Sequence, residues 1–151
     1  MTTIDTTPAV APAGRRSRKV RIAGWLLTAA GLGHTLGSFL ETAPDHLRTW
    51  FDGHLWSQAD YTAWSDAAAG FWYSAFSFGP PLLLVGVTVL WLERRGITPP
   101  LVIAVSVATW VIVTFVASGP SPLPLLLIAS GLLIAESRRT GTLAPLPGKK
   151  S

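Results

Sequence analysis

Apolar and polar positions alternate along the chain in long blocks. Four apolar runs, at about 22–40, 67–92, 100–117 and 120–135, are separated by short stretches rich in charge, Pro, Gly or Ser. The first run is nineteen residues long, about 28 Å of helix at about 1.5 Å per residue, against a bilayer core of about 30 Å. The pattern predicts an all-α, polytopic membrane protein: four transmembrane helices in a compact bundle spanning 22–136. A disordered basic tail, 1–21, precedes it and a second tail, 137–151, follows. The 41–66 connection carries Trp50, Phe51, Trp56, Tyr61 and Trp64, aromatics that favour the headgroup level, and reads as an interfacial helix or lid. Within it, Pro44-Asp45 is a plausible helix start, and Ser65-Asp66 reads as the cap of the second membrane helix. Gly79-Pro80-Pro81 lies inside the second run and predicts a kink there.

Composition supports the same picture. Hydrophobic residues make up 49% of the chain and charged residues 13%, about half the charge of an ordinary soluble domain. The net charge of +4 does not point to nucleic acid, because the basic residues stand in short groups beside apolar runs instead of covering one face. With both termini cytoplasmic, every Lys and Arg except Arg48 falls on the cytoplasmic side, as the positive-inside bias requires. The expected location is the cell inner membrane or plasma membrane, multi-pass, with the lipid bilayer as a partner. The first run is longer than a signal-peptide core, has no small-x-small cleavage site after it, and is expected to stay uncleaved. The chain has no cysteine, which removes disulfides, thiolate catalysis and cysteine metal ligands.

The polar exceptions inside the apolar runs are the candidate chemistry. His34, Ser38 and Glu41 are spaced i, i+4, i+7 and share one helix face. In the four-span topology His34 lies at the depth of Trp72, Tyr73 and Ser77 from the second run and of Trp110 and Thr114 from the third. These groups outline an outward-facing pocket for a lipophilic small molecule. In the catalytic reading His34 is the acid or base, Glu41 orients it and Tyr73 donates a proton, while Ser38, Trp72, Ser77, Trp110 and Thr114 hold the ligand. In the structural reading His34 makes a helix–helix hydrogen bond to Tyr73, Ser77 or a backbone carbonyl. His46 and His54 have no compact ligand spacing and are read as surface groups, so no metal and no cofactor is expected. Gly33-x-x-x-Gly37 is a small-x-x-x-small spacing that allows close helix approach.

The His34 region, the Trp72-Tyr73 stretch and the Gly79-Pro80 pair resemble small bacterial four-helix integral membrane proteins of the domain-of-unknown-function type, over roughly residues 22–136. A more distant likeness is to four-helix lipophile isomerases related to emopamil-binding protein, which use acidic and histidine residues in a membrane pocket. No motif is shared with them residue by residue, and no catalytic role is carried over. Three functions follow as alternatives: a lipophile-binding membrane protein with acid/base chemistry of isomerase or epoxide/ether type, a structural or partner subunit of a membrane complex, and a small transporter acting as a homo-oligomer.

Overall fold

Helix α1 is the element on which the others are assembled. A computed structural model describes residues 16–53, 55, 64–118 and 124–143. α1 spans Arg18–Phe51, 34 residues, and runs unbroken through Glu41, Pro44 and Asp45, where the sequence suggests an end and a fresh start. Pro44 lacks only one backbone donor, and Thr28, Thr35 and Thr42 each bond back to the carbonyl four residues earlier, so their hydroxyls are satisfied within the helix. The helix stops at Asp52 and at Gly53, whose φ of +86° suits glycine.

The short α2, Asp66–Ala69, is capped by the Ser65 hydroxyl, which accepts from the Ala68 N–H. It widens into a π-helical turn at Gly70–Ala75 and then breaks. α3 begins at Gly79 and runs to Arg94, with proline in its first turn. Pro80 and Pro81 therefore start a helix instead of kinking one, because the first-turn N–H groups have no intrahelical partner to lose. α4 spans Leu101–Ser118 and α5 spans Pro124–Leu143.

α1 and α3 lie antiparallel along a seam of small and large residues. Side-chain carbons built on Gly24, Gly31, Gly79 or Gly86 would collide with Leu90, Leu83, Thr35 and Thr28 respectively. The facing pairs 24/90, 28/86, 31/83 and 35/79 climb α1 by four, three and four residues while descending α3 by the same steps. That is the 3.5-residue repeat of two helices wound closely together. α5 packs on α1 and on α4, completing a four-helix bundle of α1, α3, α4 and α5. Val20, Ala23 and Leu27 meet Leu82, Val89, Ala104, Val111, Leu126, Ala129 and Leu133 in its core. A second cluster forms around Trp50, Ala43, Ala67 and Ala75.

Four membrane-spanning helices are not what this fold provides. Among the described residues only Asp66–Arg94, 29 residues with mean hydropathy 1.8 over its most apolar window, is long and apolar enough to cross a membrane. The apolar part of α4, Leu101–Val116, is shorter than a span. α1 is diluted by His34, Glu41, Asp45 and Arg48, and α5 by Glu136, Arg138 and Arg139. The polytopic, integral membrane reading is corrected accordingly. So are the inference that both termini are cytoplasmic, the multi-pass inner- or plasma-membrane location and the lipid bilayer as partner, all of which rested on four spans. Residues 54, 56–63 and 119–123, which include parts of the expected 41–66 connection and of the fourth run, lie outside the described residues.

Candidate functional site

His34 sits at the break between the π-helical turn and α3. Its Nε2 is 2.9 Å from the Ser77 Oγ and 3.2 Å from the Ser74 carbonyl oxygen, and the Ser77 hydroxyl itself lies 2.9 Å from that carbonyl. The carbonyl only accepts, so with the hydrogen on Nε2 the ring donates to both oxygens while Ser77 donates to the carbonyl; with the hydrogen on Nδ1, Nε2 accepts from the Ser77 hydroxyl. The break leaves the Ser74 carbonyl a long backbone bond from the Ser77 N–H, 3.4 Å, and the Ser77 hydroxyl and the His34 ring close in on the same oxygen. On its other side the imidazole stacks on Phe78, centroids 3.8 Å apart, and Phe78 in turn leans on Trp110 at 5.4 Å.

This geometry brings together His34, Ser77 and Trp110 from the sequence-derived set. The remaining members stand elsewhere. Glu41, two turns along α1, is exposed, and its carboxylate has no hydrogen bond or ion pair among the described residues. Tyr73 is 68% exposed and its ring lies against Trp64, centroids 5.1 Å apart. Trp72 meets Phe71 edge-on, and the Thr114 hydroxyl bonds back to the Trp110 carbonyl. Ser38 offers its carbonyl to Thr42. Among the described residues no three His, Asp or Glu side chains are grouped to hold a metal ion.

The expected outward-facing pocket for a lipophilic molecule is also corrected. Among the described residues, neither of two open cavities is lined by His34 or Tyr73. The larger, about 370 Å³, is an open groove between α3 and α4, walled by Phe78, Pro81, Leu82 and Val85 on one side and Ser106, Val107 and Trp110 on the other. It stays open because α4 rests on α5 instead of closing against α3. Phe78, held by the His34 ring, stands at one end of it.

Two buried acids at the opposite end of α3 escape a reading of charge runs. Glu93 and Glu136, which look like solvated turn residues in the sequence, are both buried. Glu136 receives hydrogen bonds from Nε and Nη2 of Arg139, one turn further along α5. That pairing holds its carboxyl below the usual carboxylate range. Burial opposes the shift, while a hydrogen bond from Ser17 and the charges of Arg139 and Lys19 add to it. The Glu136-x-x-Arg139 spacing is the one signal that could have marked the pair. Glu93 borders a small cleft with Arg16, Ser17 and Gly96, and an Arg16 N–H donates to the Arg94 carbonyl.

Fold and site together define an all-helical domain: a four-helix bundle with a histidine-tied helix break beside an apolar groove. The chain belongs to a family of unknown function, DUF6463, whose model matches residues 18–140. No curated protein and no solved structure matches it.

Proposed function

We propose that the domain is a protein-binding module that seats an apolar helix of another polypeptide in the groove between α3 and α4. The observation that carries this reading is the groove itself. Its α3 wall has apolar residues at i, i+3, i+4 and i+7, Phe78 to Val85, and its α4 wall presents Ser106, Val107 and Trp110, with no charged residue on either. Two parallel rails at helical spacing suit a third helix whose ridge fills the channel between them. The surface beside it is unusually apolar: Leu84, Val102, Val113 and Val116 are each at least 62% exposed, a pattern that marks interaction surfaces. Trp110 is the anchor on α4, and the His34–Ser77 bond is a positioning device that fixes Phe78 at the head of the groove.

The test is site-specific photocrosslinking in cells that make the full chain, with the reactive side chain at Val85 or Val107 and at Ile128 of α5 as control. The expected adducts form at the groove positions, map by mass spectrometry to an apolar helical segment of a polypeptide, and fall about tenfold or more with Trp110→Ala. Adducts to lipid, adducts equal at Ile128, or none would each overturn the proposal.

A further inference from the structure

α1 carries a second seam, on the side turned away from α3. Gly33, Gly37, Leu40, Pro44, Leu47 and Phe51 recur at steps of four, three, four, three and four residues, and all six are exposed. The 3.5-residue repeat is that of a helix with a helical neighbour, yet no element of the chain covers it among the described residues. Its composition is graded. The N-terminal end is glycine, with nothing within 4 Å of where a side-chain carbon would stand on Gly33 or Gly37. The C-terminal end is bulky, Leu47 and Phe51. Between them lies a depression of about 280 Å³ lined by Phe39, Leu40, Ala43, Pro44 and Leu47.

We propose that a second copy of this chain docks on this seam with its α1 antiparallel, the bulky end of each copy covering the glycine end of the other. In that register Phe51 of one copy seats on Gly33 of the other, Leu47 on Gly37, and Pro44 beside Leu40 in the depression. α1 already uses a related device inside the fold, where the Leu90 side chain of α3 fills the space over Gly24 and the α3 main chain at Leu83 comes down on Gly31 in an antiparallel pairing. A second copy is the occupant that the gradient selects, because the complement of a seam running from small to large is the same seam reversed. Charge agrees. Glu41 and Arg48 are exposed beside the seam, and neither side chain has an ion pair among the described residues. With 37 level with 47, the two Glu41 side chains lie near the twofold axis. The two carboxylates lie about 3 Å apart along the axis, and Arg48 of each copy, about 7.5 Å along the axis from Glu41 of the other at about 1.5 Å per residue, offsets their repulsion. The surface is distinct from the α3–α4 groove and does not depend on what that groove binds.

The chain lacks cysteine, so single-cysteine variants report contacts without background. Gly37→Cys mixed with Leu47→Cys is expected to give an oxidised dimer at least about fivefold above either variant alone, because position 37 faces 47 and neither faces itself. Gly37→Leu is expected to weaken the dimer about tenfold or more in sedimentation equilibrium while the single chain stays helical and at least as stable, since the space it fills is open there and leucine favours helix over glycine. Arg48→Glu weakens it too, most at low salt. Trp110→Ala leaves it intact, which separates this proposal from the groove reading. Equal self-crosslinking at 37 and at 47, the absence of crosslinks in the mixture, or a Gly37→Leu dimer as tight as the original would each overturn it.

Discussion

Gly31 of α1 and Leu83 of α3 lie so close that a side-chain carbon on the glycine would overlap the Leu83 backbone nitrogen. The obstacle is main chain, which cannot rotate aside as a side chain can. Gly31→Ala is therefore expected to push the two helices apart, at about 1–3 kcal/mol for overpacking, measured by chemical or thermal denaturation. Gly131 of α5 supplies the contrast. It is exposed and has nothing within 4 Å of the added carbon, so Gly131→Ala is expected to raise stability by about 0.5–1 kcal/mol through the lower backbone entropy of the unfolded chain.

The bond from His34 to Ser77 ties α1 to the helix break, and its loss should be felt there first. Ser77→Ala removes the hydroxyl that bonds to both the His34 ring and the Ser74 carbonyl, an expected cost of about 1 kcal/mol. His34→Ala also removes the ring stacked on Phe78 and is expected to cost more, while His34→Phe keeps the stack and falls between the two. Native-state hydrogen exchange checks the location: amides at 76–79 and 82 should speed up with little change at 125–135. Uniform acceleration across the bundle would contradict a local role for the pair.

Part of this site was legible before the fold. Apolar runs located the four bundle helices, Ser65 was recognisable as a cap, and the depth argument placed His34 beside Ser77, where the hydrogen bond is found. The route was nevertheless wrong, since it passed through four membrane spans of which the structure supports one candidate. What escaped were features set by tertiary context. Pro44 sits within a helix that the packing of Ala43 and Trp50 on either side of it sustains, while Pro80 and Pro81 begin one. Glu93 and Glu136 look like surface charges because burial depends on which helix ends meet. Gly33 and Gly37 satisfy the small-x-x-x-small spacing, yet Gly24 and Gly31 make the close approach to α3, and only the facing partner distinguishes them.

Trp50 shows how composition misleads. An aromatic in a charged connection suggested the membrane interface, but Trp50 is 5% exposed and its Nε1–H donates to the Ala67 carbonyl at 2.8 Å. Phe71 meets it edge-on at 5.6 Å and Phe39 packs at 6.0 Å. It fastens the end of α1 to the segment that carries the helix break. Trp50→Ala is expected to cost about 3–5 kcal/mol, and Trp50→Phe less, with the Ala67 carbonyl losing its donor. Equilibrium denaturation followed by circular dichroism distinguishes the two.

The buried carboxylate of Glu136 makes the fold sensitive to acid. Its folded-state value is depressed, chiefly by the hydrogen bonds from Arg139, with Ser17 and Lys19 contributing and burial opposing. A depressed carboxyl contributes stability that is fully present above its unfolded value of about 4.5 and is lost as pH falls through the lower folded value. Melting temperature is thus expected to hold steady from pH 7 to about 5 and to drop below about 4.5, a range in which other carboxylates also titrate. Glu136→Gln isolates its share: the variant should melt lower than the original at pH 7, and the gap should narrow as the solution is made acidic. A gap that stayed constant down to pH 3 would place the origin of the effect in packing and not in the charge of Glu136.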